Sequence, residues 1–252
     1  MMRQYLFSFF SICLLIFGLS ACRSANYLAQ IEANKQTLSD SVPADSSILA
    51  MIQPYKIKLD EQMNQVIGET SVVLTKRRPE STLGNWMADA IQRQTEKHLG
   101  KPVAFAIQNY GGIRIPQISK GSITRGKIYE LMPFDNTVVV MSLNKAEVME
   151  LMNHIVDGGG WPISSNVKIN QLEGGKLEVL INKEKLSDTQ LYTVAIPDYV
   201  ANGGSRSYFL KDKPRQELSI FIRDALIADV EAHTANNQTI TSKIEGRIVL
   251  IN

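Results

Sequence analysis

Three short segments of the chain carry residue types that could bind a ligand. They are 109–114 (Asn-Tyr-Gly-Gly-Ile-Arg), 132–136 (Met-Pro-Phe-Asp-Asn) and 198–204 (Asp-Tyr-Val-Ala-Asn-Gly-Gly). Adjacent glycines after a strand allow the backbone to approach a ligand closely, and an arginine directly after them offers a planar fork for phosphate or carboxylate. Phe134 and Tyr199 add aromatic faces that can stack on a base. The segments predict a site for a flat, anionic ligand, and three ordinary turns of an α/β domain are the alternative.

Predicted strands adjoin all three segments and would position them. Apolar runs lead into the first segment at 102–108, leave the second at 137–143 and lead into the third at 192–196. Helices are predicted at 46–63, 81–98, 123–131, 144–156 and 216–233, and further strands at 65–74, 166–171, 176–182 and 244–250. Because helices and strands interleave while several connections are hairpin-like, the sequence favours an α+β fold with a mixed sheet.

Local signals mark the ends of several elements. Ser81 can cap the helix that follows it. Asn144 stands three residues before Glu147, which is a capping-box spacing. Pro54 would kink or divide the helix at 46–63, and the stretch 172–175 (Leu-Glu-Gly-Gly) predicts a hairpin between its flanking strands.

Composition limits the classes of partner. The chain has 252 residues, 44% of them hydrophobic, and a net charge of +2. That length supports one sizeable core or two small ones. The nearly balanced charge argues against a nucleic-acid partner and against binding to a strongly anionic membrane surface.

The N-terminus has the pattern of an exported segment. Arg3 precedes an apolar run at 5–17 that is too short to span a bilayer comfortably, and Leu-Ser-Ala-Cys follows, ending at Cys22. This resembles a bacterial lipoprotein signal, in which Cys22 becomes the lipidated first residue, with a plain signal peptide as the alternative. We expect a signal at 1–21, a polar tether at 22–45 and one domain at 46–252. Localisation would be the bacterial cell envelope, on the periplasmic face or the cell surface.

The ligand-type segments, in this order, resemble the C-terminal domain of the 5'-nucleotidase family. The stretch 77–90 (Arg-Arg-Pro-Glu-Ser-Thr-Leu-Gly-Asn-Trp-Met-Ala-Asp-Ala) resembles the beginning of that domain, and 245–248 (Glu-Gly-Arg-Ile) resembles its last strand. The resemblance runs roughly from Tyr55 to the end of the chain. Each motif alone is weak, but five in order are specific.

The resemblance implies a substrate-binding role for individual residues. The aromatics that sandwich the base fall on Phe134 and Tyr199, and the positive charges near phosphate and ribose fall on Arg77 and Arg114. A polar side chain near them falls on Asn109. An ordinary core position for Phe134 and a solvated basic face for Arg77 are the alternatives.

The sequence departs from the family pattern at two positions. The family usually has an aspartate that receives the ribose hydroxyls where this chain has Ser205, which is followed by Arg206. A serine still forms hydrogen bonds, but without the strength of a charged acceptor. The family often has a third glycine where this chain has Tyr110.

The full-length family is implied to be a two-domain metallo-enzyme whose N-terminal domain holds two divalent metals. Its metal motifs, of the types Asp-x-His, Gly-Asn-His-[Asp/Glu] and Gly-His-x-His, do not occur in this sequence. His98, His154 and His233 stand on separate predicted helices, and we interpret them as solvated. Asp89 and Glu80 are interpreted as partners of helix ends and arginines. We therefore expect no catalytic residue, metal ligand or cofactor in this chain.

Together these observations predict a lipid-anchored specificity domain that grips a nucleotide or nucleoside. A separately encoded metallophosphatase would carry the divalent metals and cut the phosphate. A lipoprotein that only captures nucleosides or related small molecules is the alternative, and a structural relic with a decayed site is a third interpretation.

Overall fold

The structure is a computed structural model that describes residues 33, 35 and 43–251. The chain is divided into two units after Leu49, and the fold below is that of the second unit, from Ala50 onward. The predicted signal at 1–21, the lipidation site Cys22 and most of the tether at 22–45 lie outside the described residues.

Helices and strands alternate along the described chain. The helices are α1 (Ser46–Met63), α2 (Thr82–Leu99), α3 (Arg125–Leu131), α4 (Lys145–Asp157), α5 (Asp198–Ala201) and α6 (Ile222–Ala235). The strands are β1 (Val66–Thr70), β2 (Leu74–Thr75), β3 (Phe105–Ala106), β4 (Gln117–Ile118), β5 (Gly121–Thr124), β6 (Thr137–Leu143), β7 (Val167–Gln171), β8 (Leu177–Ile181), β9 (Glu184–Lys185), β10 (Tyr192–Pro197), β11 (Arg215–Phe221) and β12 (Ile248–Val249).

A central sheet organises the domain, with strand order β11-β6-β10-β3. Strand β6 runs antiparallel to both β11 and β10, whereas β10 and β3 are parallel. A second sheet has the order β12-β7-β8-β9, and the pairs β1-β5 and β2-β4 stand apart from both. Mixed sheets with interleaved helices confirm the predicted α+β fold.

The central sheet is buried on both faces, which explains the four consecutive apolar residues 138–141 of β6. Successive side chains of a strand point to opposite faces. Val139 and Met141 accordingly pack in one core with α4 and the second sheet, while Val138 and Val140 pack in another with α2, α3 and α6. Strand β10 alternates in the same way. Strands β6 and β10 are thus covered on one face by α4 and the second sheet, and on the other by α2, α3 and α6.

Capping interactions appear where the sequence predicted them. The Ser81 hydroxyl accepts a hydrogen bond from the Gly84 backbone N–H at 3.0 Å. Asn144 and Glu147 form a complete capping box at the start of α4. The predicted hairpin is also confirmed, since β7 and β8 pair antiparallel.

The predicted helix at 216–233 is wrong in its first part. Residues Arg215–Phe221 form β11, at one end of the central sheet, and the helix begins only at Ile222. Leu218, Phe221 and Ala225 satisfy a helical spacing, but backbone pairing with β6 decides the structure of the first six residues of the predicted helix. An irregularity in the pairing accompanies this change, with Ser219 at a φ of 55°.

Three predicted strands are shorter or divided. The strand at 65–74 is two strands in different sheets, separated by a bend in which the Thr70 hydroxyl donates to the Val72 carbonyl. The strand at 102–108 is reduced to β3, and the strand at 244–250 to β12. In each case an apolar run is longer than the segment that finds a hydrogen-bonding partner.

Helix α1 runs through Pro54 as one element, so the predicted division does not occur. None of its side chains is buried. Within residues 33, 35 and 43–251, no helix has the combined length and apolar character needed to cross a bilayer.

Candidate functional site

The three predicted ligand segments meet at one edge of the central sheet. Strands β3 and β10 are parallel, so the segments that follow them leave the sheet on the same side. Strand β6 is antiparallel to β10, and its beginning pairs with the end of β10, with Val138 opposite Pro197. The segment that precedes β6 therefore arrives at the edge where the other two depart. Sheet topology brings together residues that are far apart in sequence.

These segments enclose a cavity of about 300 Å³, called the first cavity below. Its lining contains five of the predicted substrate-binding residues. The complete lining is Asn109, Gly111, Gly112, Arg114, Phe134, Asn136, Tyr199 and Ser205. Phe134 and Tyr199 are 39% and 47% exposed, which leaves aromatic surface open to a ligand.

Hydrogen bonds hold one wall of the first cavity. The buried Asn109 amide donates to the Ser205 hydroxyl at 3.2 Å, and the Ser205 backbone N–H donates to the Tyr199 hydroxyl at 3.2 Å. Behind them, the Gln108 amide donates to the Asn109 side-chain oxygen at 3.2 Å. The wall is thus fixed by neutral side chains, each bound to the next.

Close packing leaves no room for side chains at two glycines of this wall. A Cβ at Gly112 would lie 2.0 Å from the Gln108 amide nitrogen, and one at Gly204 would lie 2.4 Å from the Tyr199 carbonyl oxygen. These glycines let Gln108 and Tyr199 occupy their positions beside the cavity.

Positive charge is concentrated beside the first cavity. The Arg114 guanidinium lies 5.5 Å from the centre of the Phe134 ring and donates to the Gly111 carbonyl at 3.4 Å. Lys76 donates to the Ile113 carbonyl at 2.7 Å. Burial lowers the pKa of Lys76, and the charges of Arg114 and Arg78 lower it further. Arg114 and Arg78 thus lie close enough to Lys76 to disfavour its charged form, and a bound anion would relieve this repulsion.

Tyr110 contacts two of these cations. The Lys76 ammonium and the Arg78 guanidinium each lie 4.1 Å from the centre of its ring, which is a cation–π distance. Tyr110 thereby fixes the position of Arg78, and neither residue was among the predicted site residues. Arg77, which was predicted, is exposed and lines neither cavity described here. Its role in binding stays a prediction.

A second cavity of about 400 Å³ adjoins the first, and Gly111 and Ser205 line both. The remaining residues of its lining are Arg78, Tyr110, His154, Asp157, Gly158, Trp161 and Arg206. It lies beside α4, whose residues His154 and Asp157 were not among the predicted site residues.

The interpretation of the histidines as solvated is wrong for two of them. His98 is exposed, but His154 is half-buried on α4, with Nε2 at 3.0 Å from the Ser205 carbonyl oxygen and 3.2 Å from the Ser207 hydroxyl. His233 is half-buried, and its Nδ1 lies 2.7 Å from the Asp229 carbonyl oxygen. Periodicity placed these histidines on helices but could not show which side of each helix was covered.

Asp89 and Glu80 are structural, as predicted. Both Asp89 oxygens accept hydrogen bonds from Arg247, at 2.9 and 2.7 Å. Glu80 accepts from the Asn85 amide and from the backbone of Arg247. These carboxylates join α2 to the end of the chain and do not line either cavity.

In the part of the chain that the structure describes, the side chains that could bind metals do not form a two-metal centre. Among residues 33, 35 and 43–251, no group of three or more His, Cys, Asp or Glu side chains is placed to hold a metal ion.

The model of one protein family, the C-terminal domain of 5'-nucleotidases, matches residues 66–212, which is more than half of the chain. The chain belongs to this family. The match covers all the segments that line the first cavity of this 5'-nucleotidase C-terminal domain.

Relatives and solved structures agree with the family assignment. The chain is 28% identical over 244 residues to the mouse 5'-nucleotidase, covering 85% of this chain and 42% of that protein. It is 29% identical over 218 residues to the trifunctional nucleotide phosphoesterase protein YfkN of Bacillus subtilis, covering 78% of this chain and 14% of that protein. The solved 5'-nucleotidase precursor of Thermus thermophilus superposes with a TM-score of 0.66 at 29% identity, over 82% of this chain and 42% of that one. This chain therefore spans less than half the length of these relatives.

Proposed function

We propose that this 5'-nucleotidase C-terminal domain binds nucleotides and supplies substrate recognition to a separately encoded metallophosphatase. The observation that carries the proposal is the first cavity, where two part-exposed aromatic rings and the Arg114 guanidinium line one small space. The mouse and Thermus relatives are both called 5'-nucleotidases, which supports a nucleotide or nucleoside as the ligand.

In this proposal Phe134 and Tyr199 hold the base. Large aromatic side chains exposed to water gain by covering their faces, and stacking on a base is tolerant of base identity because every base has a π-face. Their exposure, at 39% and 47%, leaves that surface available to a base. The hydroxyl of Tyr199 meanwhile accepts a hydrogen bond from the Ser205 backbone, which orients the ring.

Arg114 meets the phosphate. Its guanidinium carries a permanent charge and a planar fork of donors that suits phosphate oxygens. Within the described part of the chain, no Asp or Glu oxygen lies within 4.0 Å of it, so no ion pair has to break when an anion binds. Lys76 and Arg78 strengthen the local positive potential. They lie close to each other, since the charge of Arg78 contributes to lowering the pKa of Lys76.

The sugar would contact the neutral wall made by Asn109, Asn136 and Ser205. These side chains offer both donors and acceptors for hydroxyl groups. The Ser205 hydroxyl accepts a hydrogen bond from the Asn109 amide and can still donate its own proton. A neutral acceptor gives weaker hydrogen bonds than a carboxylate.

The reaction needs a partner in this proposal. Two divalent metals would supply the activated water and neutralise the transferring phosphoryl group, and we place them on the partner chain because the described residues lack a suitable donor set. This chain contributes the aromatic side chains that stack on the base and the arginine that binds the phosphate. A lipid at Cys22 would keep it in the bacterial cell envelope.

The partnership is tested with the full chain and an exported metallophosphatase that lacks this domain. We expect the full chain alone to hydrolyse neither AMP nor an aryl phosphate, with or without Mn²⁺, Zn²⁺ or Co²⁺. Mixing the two chains should lower the KM for AMP, and Phe134→Ala should abolish that effect. Metal-dependent turnover by this chain alone, lost in Phe134→Ala from the same preparation, would overturn the proposal. Nucleoside binding with no effect on the partner's KM would favour a ligand-capturing lipoprotein.

The anchor is tested separately by intact-mass spectrometry of the membrane-derived protein. One acyl chain anchors only marginally, so we expect cleavage before Cys22 and more than one acyl group on that residue. A mass equal to that of the unmodified chain would contradict the anchor.

A further inference from the structure

The second cavity has the chemistry of an anion subsite, and it opens next to the proposed nucleotide cavity. We propose that it accepts a second phosphate group of the nucleotide held in the first cavity. This inference rests on the proposed function, since it names a narrower class of ligand for the same site: nucleotides that carry more than one phosphate.

The two residues that line both cavities are small and uncharged. Gly111 and Ser205 line both spaces. Gly111 has no side chain, and even a Cβ there would meet nothing closer than the Asn109 amide at 3.7 Å. Ser205 is neutral. A ligand group in the first cavity can therefore extend past this wall without meeting a bulky side chain or a negative charge.

Beyond the wall, the charge is mainly positive. Arg78 and Arg206 line the second cavity, and Lys76 lies against the same Tyr110 ring that Arg78 contacts. Within residues 33, 35 and 43–251, no Asp or Glu oxygen lies within 4.0 Å of either arginine. Asp157 is the one acidic residue of the lining. Two arginines without carboxylate partners in the described chain, facing a cavity of about 400 Å³, suit a phosphate.

The backbone that carries Arg206 is held in an unusual conformation. Ser205 and Arg206 have φ values of 53° and 67°, in the left-handed region that side chains other than glycine rarely adopt. Contacts on both sides maintain it: the Tyr199 hydroxyl accepts from the Ser205 N–H, and His154 Nε2 contacts the Ser205 carbonyl. Strained backbone that its surroundings hold in place is common at ligand sites. Here it places Arg206 at the cavity next to the shared wall.

The second phosphate could reach this subsite in two ways. It could continue the 5' chain, as in ADP, or it could be attached to a ribose hydroxyl, as in adenosine 3',5'-bisphosphate. Both present the same group to Arg78 and Arg206, so the three ligands AMP, ADP and adenosine 3',5'-bisphosphate separate the two sources.

The test is isothermal titration calorimetry of the full chain with these three ligands at constant ionic strength, because screening would otherwise differ between them. We expect ADP or the bisphosphate to bind about tenfold or more tightly than AMP, the size expected for a new charge-assisted hydrogen bond. Arg78→Gln and Arg206→Gln should each reduce this gain several-fold and change AMP affinity less. Asp157→Asn should increase the gain, since it removes the one opposing charge. Lys120→Gln, which removes an exposed charge lining neither cavity, should leave it unchanged.

Each other outcome counts against the subsite. Equal affinity for all three ligands, or a gain that survives both arginine variants, would overturn it while leaving AMP binding intact. An equal loss in Lys120→Gln would show only a general charge effect and would also overturn it. If none of the three ligands binds, the proposed function fails, and the subsite fails with it. A thermal unfolding midpoint close to that of the unchanged chain establishes that each variant is folded. If Arg206→Gln does not fold, Arg78→Gln still tests the subsite, because Arg78 is exposed.

Discussion

Five arginines of this domain form two groups that differ in their partners. Arg247 and Arg93 are paired with carboxylates inside the protein or at its edge, whereas Arg78, Arg114 and Arg206 stand around the two cavities. In the described residues, no carboxylate lies within 4.0 Å of the second group. The difference separates charges that hold the fold from charges that are available to a ligand.

The paired group joins distant parts of the chain. Arg247 is 3% exposed and donates to Asp89, to Glu245 and to the Ile163 carbonyl. Arg93 makes two hydrogen bonds to Asp229, which is 1% exposed. Charges removed from water are tolerated only when their hydrogen bonds are satisfied, so these contacts are constraints on the fold.

The largest effect that tests this comparison is on stability. Arg247→Ala should lower the free energy of unfolding by about 3–5 kcal/mol, because it leaves partly buried carboxylates of Asp89 and Glu245 without their cation. Arg114→Ala, at the cavity, should change stability by no more than about 0.5 kcal/mol. Urea denaturation of both variants measures the contrast. Similar losses of unfolding free energy in the two variants would show that the two groups of arginines do not differ in their contribution to stability.

The next effect is on ligand affinity without a change in stability. Phe134→Ala should weaken nucleotide binding by about 1–3 kcal/mol, the range for losing a base-stacking partner. Phe221→Ala is a matched control, since its ring is 37% exposed against 39% for Phe134 and it lines neither cavity. Calorimetry should find the loss in Phe134→Ala alone. Equal losses would show that the first cavity does not hold the base.

The half-exposed ion pair between Lys213 and Glu147 should have a smaller effect on stability. The hydrogen bond from Lys213, and then that from the Asn144 backbone, lower the pKa of Glu147 from its usual 4.5. A lowered carboxyl pKa contributes stability that is present above the unfolded-state pKa and is lost as the pH falls through the folded-state pKa. Glu147→Gln should therefore cost less than about 1 kcal/mol at pH 7, and this difference should disappear below the folded-state pKa. A difference that stays constant with pH in thermal unfolding would show that the charge of Glu147 is not responsible.

Much of the fold was predictable because local signals agreed with tertiary packing. The Asn144–Glu147 capping box, the β7–β8 hairpin and the apolar run of β6 all appear as predicted. The start of the last long helix was not predictable. Apolar spacing at 216–233 fits one continuous helix, but the backbone of Arg215–Phe221 pairs with β6. Strand pairing depends on a partner distant in sequence, which periodicity cannot reveal.

The candidate site was predictable where motifs followed strands. Five predicted residues line the first cavity because β3, β6 and β10 direct their adjoining segments to one sheet edge. The second cavity could not be predicted. His154 comes from the middle of α4, and nothing in the sequence distinguishes Arg78, which lines the cavity, from its neighbour Arg77, which does not. The contact with Tyr110 that holds Arg78 exists only in three dimensions.

The central claim is that the arginines at the cavities meet the phosphate of a nucleotide. The most direct measurement is calorimetry of AMP and adenosine binding to the full chain and to its Arg114→Ala variant, at one ionic strength. We expect Arg114→Ala to weaken AMP binding about tenfold or more and to change adenosine binding little, because only AMP carries the charge that Arg114 would contact. An equal loss of affinity for AMP and adenosine would contradict it.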